Sequence, residues 1–185
     1  MKQNELLRIQ FCGFGGQGII LLSVLFGTAA VTRGGMNAVQ TQSFGSEARG
    51  GACQSELILS KWAINSPTSD QTDILVAMSQ EALDKYLGKL KSGGKLLIDS
   101  DLVETPSRED IQIIKVPATR TADEMGQRIA ANMVMLGFLQ EMTNLFSKED
   151  LFAVIRENVP ERFLEVDMKA AERGISQARD LPQDA

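Results

Sequence analysis

Two short glycine-rich stretches hold the residues best suited to chemistry. The first, GFGGQG at 13–18, sets Gly13, Gly15 and Gly18 in a GxGxxG pattern, with Gly16 and Gln17 inside it. Glycines so spaced let the main chain turn sharply and come close to a phosphate, while a helix that follows offers unpaired N–H groups and a partial positive charge. The second, SFGSEARGG at 43–51, adds the hydroxyls of Ser43 and Ser46, the Arg49 guanidinium, and the permissive backbone of Gly45, Gly50 and Gly51. An arginine is a planar clamp for phosphate or carboxylate. Glu47 stands two residues before Arg49 and either orients it or faces a partner. The plainer alternatives are a tight turn with a local Glu–Arg pair, and glycines that serve close packing alone.

What is missing narrows the chemistry. The chain has no histidine, which removes histidine triads, shuttles and zinc sites. A nicotinamide site of the usual kind needs an acid about 20 residues past the turn to hold the ribose. The region 36–42 reads MNAVQTQ, with no Asp, Glu or Arg, and Arg33 comes too early. Two cysteines, Cys12 and Cys53, are too few for a four-thiolate cluster. No signal peptide is visible, so both are expected to be reduced thiols in a cytoplasmic protein. The net charge of −5, with acids and bases interspersed, argues against a sequence-independent grip on nucleic acid. The longest apolar run, Ile19 to Val31, is shorter than the roughly 18 residues of a membrane span, so it reads as a core helix and no membrane contact is expected.

The elements that would position these loops follow from periodicity. Residues 6–12 alternate as a strand, and a helix is predicted from Gly16 or Gln17 to about Thr32, ended by Arg33-Gly34-Gly35. Short strands are expected near Asn37–Thr41 and over Ala52–Ser60. DILVAM (73–78) and KLLIDS (95–100) are continuous apolar runs, as in strands buried on both faces of a parallel sheet. SQEALDKYLGKL between them has helical spacing, and IQIIKV (111–116) is a strand ended by Pro117. TADE (121–124) reads as a capping box opening a helix over Met125–Phe146 that is apolar nearly all round. Ser147 caps a shorter amphipathic helix, and a last one is expected over Glu161–Arg173, stopped by Gly174 and followed by a frayed end.

Strands alternating with helices predict a single Rossmann-like α/β domain over 1–185, a twisted and mostly parallel sheet with helices on both faces. The first and third strands alternate in polarity, so one sheet face should be covered by something polar, mobile or outside this chain. Together with the all-round apolar helix, this suggests a partner subunit. Asp99 and Asp101 are expected at a solvated strand end, and the methionines of the long helix as core filler.

The pairing of GFGGQGI with TQSFGSEARGG resembles the gamma subunit, or gamma domain, of the 2-oxoacid:ferredoxin oxidoreductases, which act on pyruvate, 2-oxoglutarate, branched-chain 2-oxoacids or indolepyruvate. The likeness continues through Asp73-Ile74-Leu75, VPAT (116–119) and AANMVMLG (130–137). Phe44 and Ser46 stand where the family commonly has Tyr and Pro. The resemblance implies a non-catalytic subunit of an oxidoreductase, leaning toward the 2-oxoglutarate branch, within a complex that decarboxylates a 2-oxoacid oxidatively, yields an acyl-CoA and reduces ferredoxin. It implies coenzyme A held by the two loops (Gly13, Gly15, Gly16, Gln17, Gly18, Ser43, Gly45, Glu47, Arg49, Gly50 and Gly51), with no catalytic residue and no metal in this chain. Thiamine diphosphate, magnesium and iron–sulfur clusters would belong to partners: alpha and beta subunits, with or without a ferredoxin-like delta subunit.

Overall fold

The computed structural model describes residues 6–43, 52–65 and 70–181. Strand β1 (Leu7–Phe14) leads through the glycine turn into α1 (Ile19–Thr32), then β2 (Asn37–Ser43) and β3 (Ala52–Ser60). β4 (Thr72–Ala77), α2 (Gln80–Tyr86), β5 (Leu90–Asp99) and β6 (Gln112–Val116) follow. Four helices complete the chain: α3 (Ala118–Glu124), α4 (Ala131–Thr143), α5 (Lys148–Asn158) and α6 (Glu161–Arg179).

The strands form one sheet in the order β2-β3-β1-β4-β5-β6. β1, β4, β5 and β6 pair in parallel; α2 lies in the crossover from β4 to β5, whereas turns without a helix lead from β5 to β6. β3 runs against both its neighbours, so it sits between β1 and β2. The register sets Phe14 opposite Ala52 and Ser43 opposite Gln54. The glycine turn and both stems of the 44–51 segment therefore leave the sheet at the same edge. The same insertion separates β2 from β1, so the strand after α1 is not beside the glycine turn as it is in a nicotinamide-binding unit.

The two sheet faces are covered unequally. Ile9, Phe11, Leu57, Leu59, Ile74, Val76 and Leu97 pack under α1, α3, α4, α5 and α6. On the other face, Leu75, Ala77, Leu96 and Ile98 cluster with α2, the turn after it, Val103 and the flanking Leu102 and Ile111. Toward β1 and β3 that second face becomes polar, as the alternating pattern of those strands requires. Gln10, wholly buried, donates from Nε2 to Gln54 Oε1 at 2.5 Å, and Lys89 pairs with Glu56 at 2.7 Å.

Several expectations need correction. TADE is no capping box: α3 begins at Ala118 after Pro117, and Thr121 bonds back to the Pro117 carbonyl at 2.7 Å. Nor is Met125–Phe146 one helix, because Gly126 has φ +73° and a tight turn at 128–130 precedes α4. Ten consecutive residues of α4, Ala131 to Gln140, are buried, but by this chain's own helices, so this burial gives no sign of a partner. Asp99 is not solvated: it is fully buried, accepts from Thr119 Oγ1 at 2.6 Å, and reaches the start of α3. Burial raises its pKa, and the Thr119 hydroxyl acts the other way.

Gly174 does not stop α6, which runs on to Arg179. Instead Gly174 and Gly137 let α6 and α4 touch backbone to backbone: an added Cβ at Gly137 would meet the Ala171 carbonyl, and one at Gly174 the Val134 carbonyl. A side chain at either position must push two helices apart. Gly137→Ala is expected to lower the unfolding free energy by about 3 kcal/mol or more, measured by urea denaturation; a loss under about 1 kcal/mol would show that the helices separate at little cost.

Candidate functional site

The glycines of the turn fall into two pairs. Gly13 is buried at the end of β1, where a Cβ would strike Gln17 Oε1 at 2.5 Å and Ile19 Cδ1 at 2.7 Å. Gly18, at φ +73°, is the residue on which α1 begins, and a Cβ there would run into the Asn132 amide. Both are explained by packing within the chain. Gly15 and Gly16 are different. Both are exposed, and nothing lies within 4 Å of where their Cβ atoms would be. Gly16 needs its freedom for φ +100°; Gly15 has no such requirement, so its bareness faces outward.

Gln17 shapes the turn. Its Oε1 accepts from the Phe14 N–H at 2.7 Å and its Nε2 donates to the Met78 carbonyl at 2.8 Å. One side chain thus ties the end of β1 to the end of β4, and both ends of its amide are engaged within the chain. The helix behind is left open: no side chain caps Gly18, and no acid stands in the first turn of α1. A helix start with free N–H groups, a partial positive charge and no carboxylate of its own is suited to an anion.

Of the second loop, Ser43 is exposed at the end of β2, on the edge shared with the turn. Gly45, Glu47, Arg49, Gly50 and Gly51 lie outside the described residues.

Three residues join the site that the sequence reading passed over. Asn132 at the start of α4 donates to the Gly18 carbonyl at 3.4 Å, tying the turn to the helical layer. Beside it a cavity of about 160 Å³ is lined by Gly16, Gly18, Leu21, Ile129, Met133, Phe163 and Asp167. Asp167 is 9% exposed and makes no hydrogen bond or ion pair among the described residues. Its signal was present in α6, where 167, 170, 171, 174 and 175 repeat as one buried face with an acid in a place otherwise held by Ala, Gly and Ile. Ile129, two-thirds exposed, stands at the cavity mouth.

The cysteines take no part in this chemistry. They lie on opposite faces of the sheet, and burial holds both thiols above their ordinary pKa, Cys12 the more strongly with Cys53 adding to it. Among the described residues no group of three or more His, Cys, Asp or Glu is placed to hold a metal ion. No helix among the described residues is long and apolar enough to cross a membrane.

The fold is thus an α/β sheet with an anion-ready glycine turn at the carboxyl ends of its parallel strands. Comparison with known proteins places it further. Residues 8–177 match the pyruvate ferredoxin/flavodoxin oxidoreductase family, and the chain belongs to that family. It is 45% identical to the 2-oxoglutarate synthase subunit KorC of Methanocaldococcus jannaschii, over 94% of both chains. It is 40% identical, with a TM-score of 0.82, to the gamma subunit of a keto/oxoacid ferredoxin oxidoreductase from Geobacter sulfurreducens, covering 95% of this chain and 99% of that one. It also superposes with a TM-score of 0.88 at 26% identity on a 2-oxoglutarate:ferredoxin oxidoreductase from Magnetococcus marinus solved with 2-oxoglutarate, coenzyme A and succinyl-CoA, covering 98% of this chain and 32% of that one.

Burial pushes the Asp167 carboxyl up to about 6, from an unfolded value near 3.8. The native state therefore keeps a proton that the unfolded chain releases, so stability rises as pH falls through 6 and levels off below about 4. Above pH 7 the buried charge costs about 2 kcal/mol. Asp167→Asn is expected to raise the unfolding free energy by about 1–2 kcal/mol at pH 8, with the difference from wild type shrinking below pH 5 in urea titrations. A pH-independent difference would show that the carboxyl is not held away from water.

Proposed function

We propose that this chain is the gamma-type subunit of a 2-oxoglutarate:ferredoxin oxidoreductase, and that its part is to hold coenzyme A by its phosphates. The observation that carries this reading is the uncapped start of α1 behind two bare, exposed glycines, on the edge from which the second loop also springs. The 2-oxoglutarate branch is supported by KorC of M. jannaschii, and coenzyme A by the M. marinus enzyme solved with it.

In the complete enzyme, thiamine diphosphate with magnesium and iron–sulfur clusters on alpha and beta subunits, with or without a delta subunit, would supply bond cleavage and electron transfer to ferredoxin. The residues of this chain do something simpler. N–H groups of Gly15, Gly16 and the first turn of α1 bind phosphate oxygens, with Ser43 adding a hydroxyl and Arg49 a guanidinium. Fixing the phosphates shortens the search of the carrier's thiol for its acyl partner, which is a positioning effect without proton transfer.

Docking onto another subunit has its own surface. Leu21, Val24 and Val31 are exposed along α1, and Val24 and Val31 border a groove of about 320 Å³ against Ala38, Gln40 and Leu57. In the M. marinus enzyme the matched region is about a third of a longer chain.

Two outcomes are expected. Gly15→Val, whose added Cβ meets nothing within 4 Å among the described residues, leaves the complex assembled and raises its KM for coenzyme A about tenfold; an unchanged KM would remove the glycine turn from the coenzyme site. Val31→Glu reduces recovery of the other subunits in affinity co-purification, whereas full recovery would place the interface elsewhere.

A further inference from the structure

Strand β2 is one edge of the sheet, and it lacks the devices that usually guard an edge. Its residues, NAVQTQS, hold no charge and no proline, they pair with β3 without a bulge, and most of them are exposed. The opposite edge differs: β6 carries the exposed Lys115 and runs into Pro117. Ala38, Gln40 and Gln42 of β2 lie on the α1 face, and Val39, Thr41 and Ser43 on the other. Gln40 directs both amide hydrogens inward, to Ser23 Oγ at 3.1 Å and Ser55 Oγ at 2.9 Å. Its Oε1 is left as an acceptor that no donor meets among the described residues. Gln42, exposed on the same face, donates to nothing among them.

We infer that β2 of a second copy of this chain pairs with this edge, antiparallel about a twofold axis at Thr41, so that two sheets join into one. In that register Thr41 lies opposite Thr41, Val39 opposite Ser43, and Gln40 opposite Gln42 on both sides of the axis. Each Gln42 amide then donates to the open Gln40 Oε1 of the other copy on one face, and the threonine hydroxyls meet on the other. A twofold at Gln40 would set two such acceptors against each other, so the side chains select the register. A twofold contact needs a strand that complements itself, and a neutral strand with an acceptor and a donor two residues apart does so. The seam leaves the groove beside it open. α1 rests on β3, where a Cβ at Gly27 would meet Leu57 at 3.1 Å. Across the seam the two α1 helices stand three strand spacings apart, about 14 Å, beyond the roughly 8–10 Å of helices in contact. Val24 and Val31 thus wall a wider trough, free for another subunit.

The test reads the mass of the purified full chain by light scattering over a concentration series. Wild type is expected to rise from one chain to two. Thr41→Lys and Thr41→Glu, both at an exposed position, are each expected to raise the dissociation constant of that dimer about tenfold or more, because like charges then face each other. An equimolar mixture of the two variants should recover the dimer, since opposite charges now meet at the axis. Val31→Glu should leave the mass as in wild type, even where it costs the recovery of other subunits. In the assembled complex, mild oxidation of Thr41→Cys should link two copies of this chain. A wild-type chain that stays single throughout, charged variants that pair as wild type does, or a mixture that fails to recover would overturn the seam. So would a dimer lost in Val31→Glu, which moves the contact to α1, or a complex in which position 41 forms no link.

Discussion

The antiparallel ladder between β1 and β3 is the contact on which the rest depends. Its register runs from Leu7 opposite Leu59 to Phe14 opposite Ala52. Because β3 is inserted beside β1 and against it, the segment that links β2 to β3 must turn back at the edge where β1 ends. A parallel strand in that place would have carried the second loop to the far side of the sheet. Two stretches separated by the 24 residues of 19–42 are thereby rooted together, at the carboxyl ends of β1 and β4 where open α/β sheets place their ligands.

The remaining structure serves to hold that edge still. Gln17 bridges β1 to β4 from within the turn, Asn132 ties the turn to α4, and Gly137 with Gly174 lets α4 lie directly on α6. α6 in turn delivers Asp167 and Phe163 to the back of the turn. A chain from sheet to turn to paired helices therefore positions the proposed site, whose recognition groups would be mostly main-chain N–H. Main-chain donors need exact placement more than they need particular side chains, which is why so much of the sequence near the site consists of small residues.

Much of this was legible in the sequence. All six strands follow from alternation or from continuous apolar runs, and the α1 region and Ser147-capped α5 follow from periodicity and capping. What escaped has physical causes. Gly174 has the look of a helix terminator, and only the α4–α6 approach reveals it as a contact residue, because a tertiary contact overrides the cost of glycine within a helix. TADE has the letters of a capping box, but the helix had already begun at Ala118, near the buried Asp99 that accepts the Thr119 N–H. The pairs within the glycine turn were not separable from sequence, since Gly13 and Gly15 differ only in what stands beside them. Asp167 was hidden in the same way: the pattern placed it on a buried face, but not beside a turn about 150 residues earlier.

On the proposed reading, main-chain N–H groups of this chain bind the coenzyme's phosphates. Hydrogen–deuterium exchange on the intact complex, with and without coenzyme A, addresses those atoms themselves. Amides from Gly15 to Leu21 are expected to slow when the coenzyme is added, while the opposite sheet edge around Leu7 and Ser60 stays as it was. Protection confined to the other subunits, with the turn exchanging at its original rate, would contradict the claim.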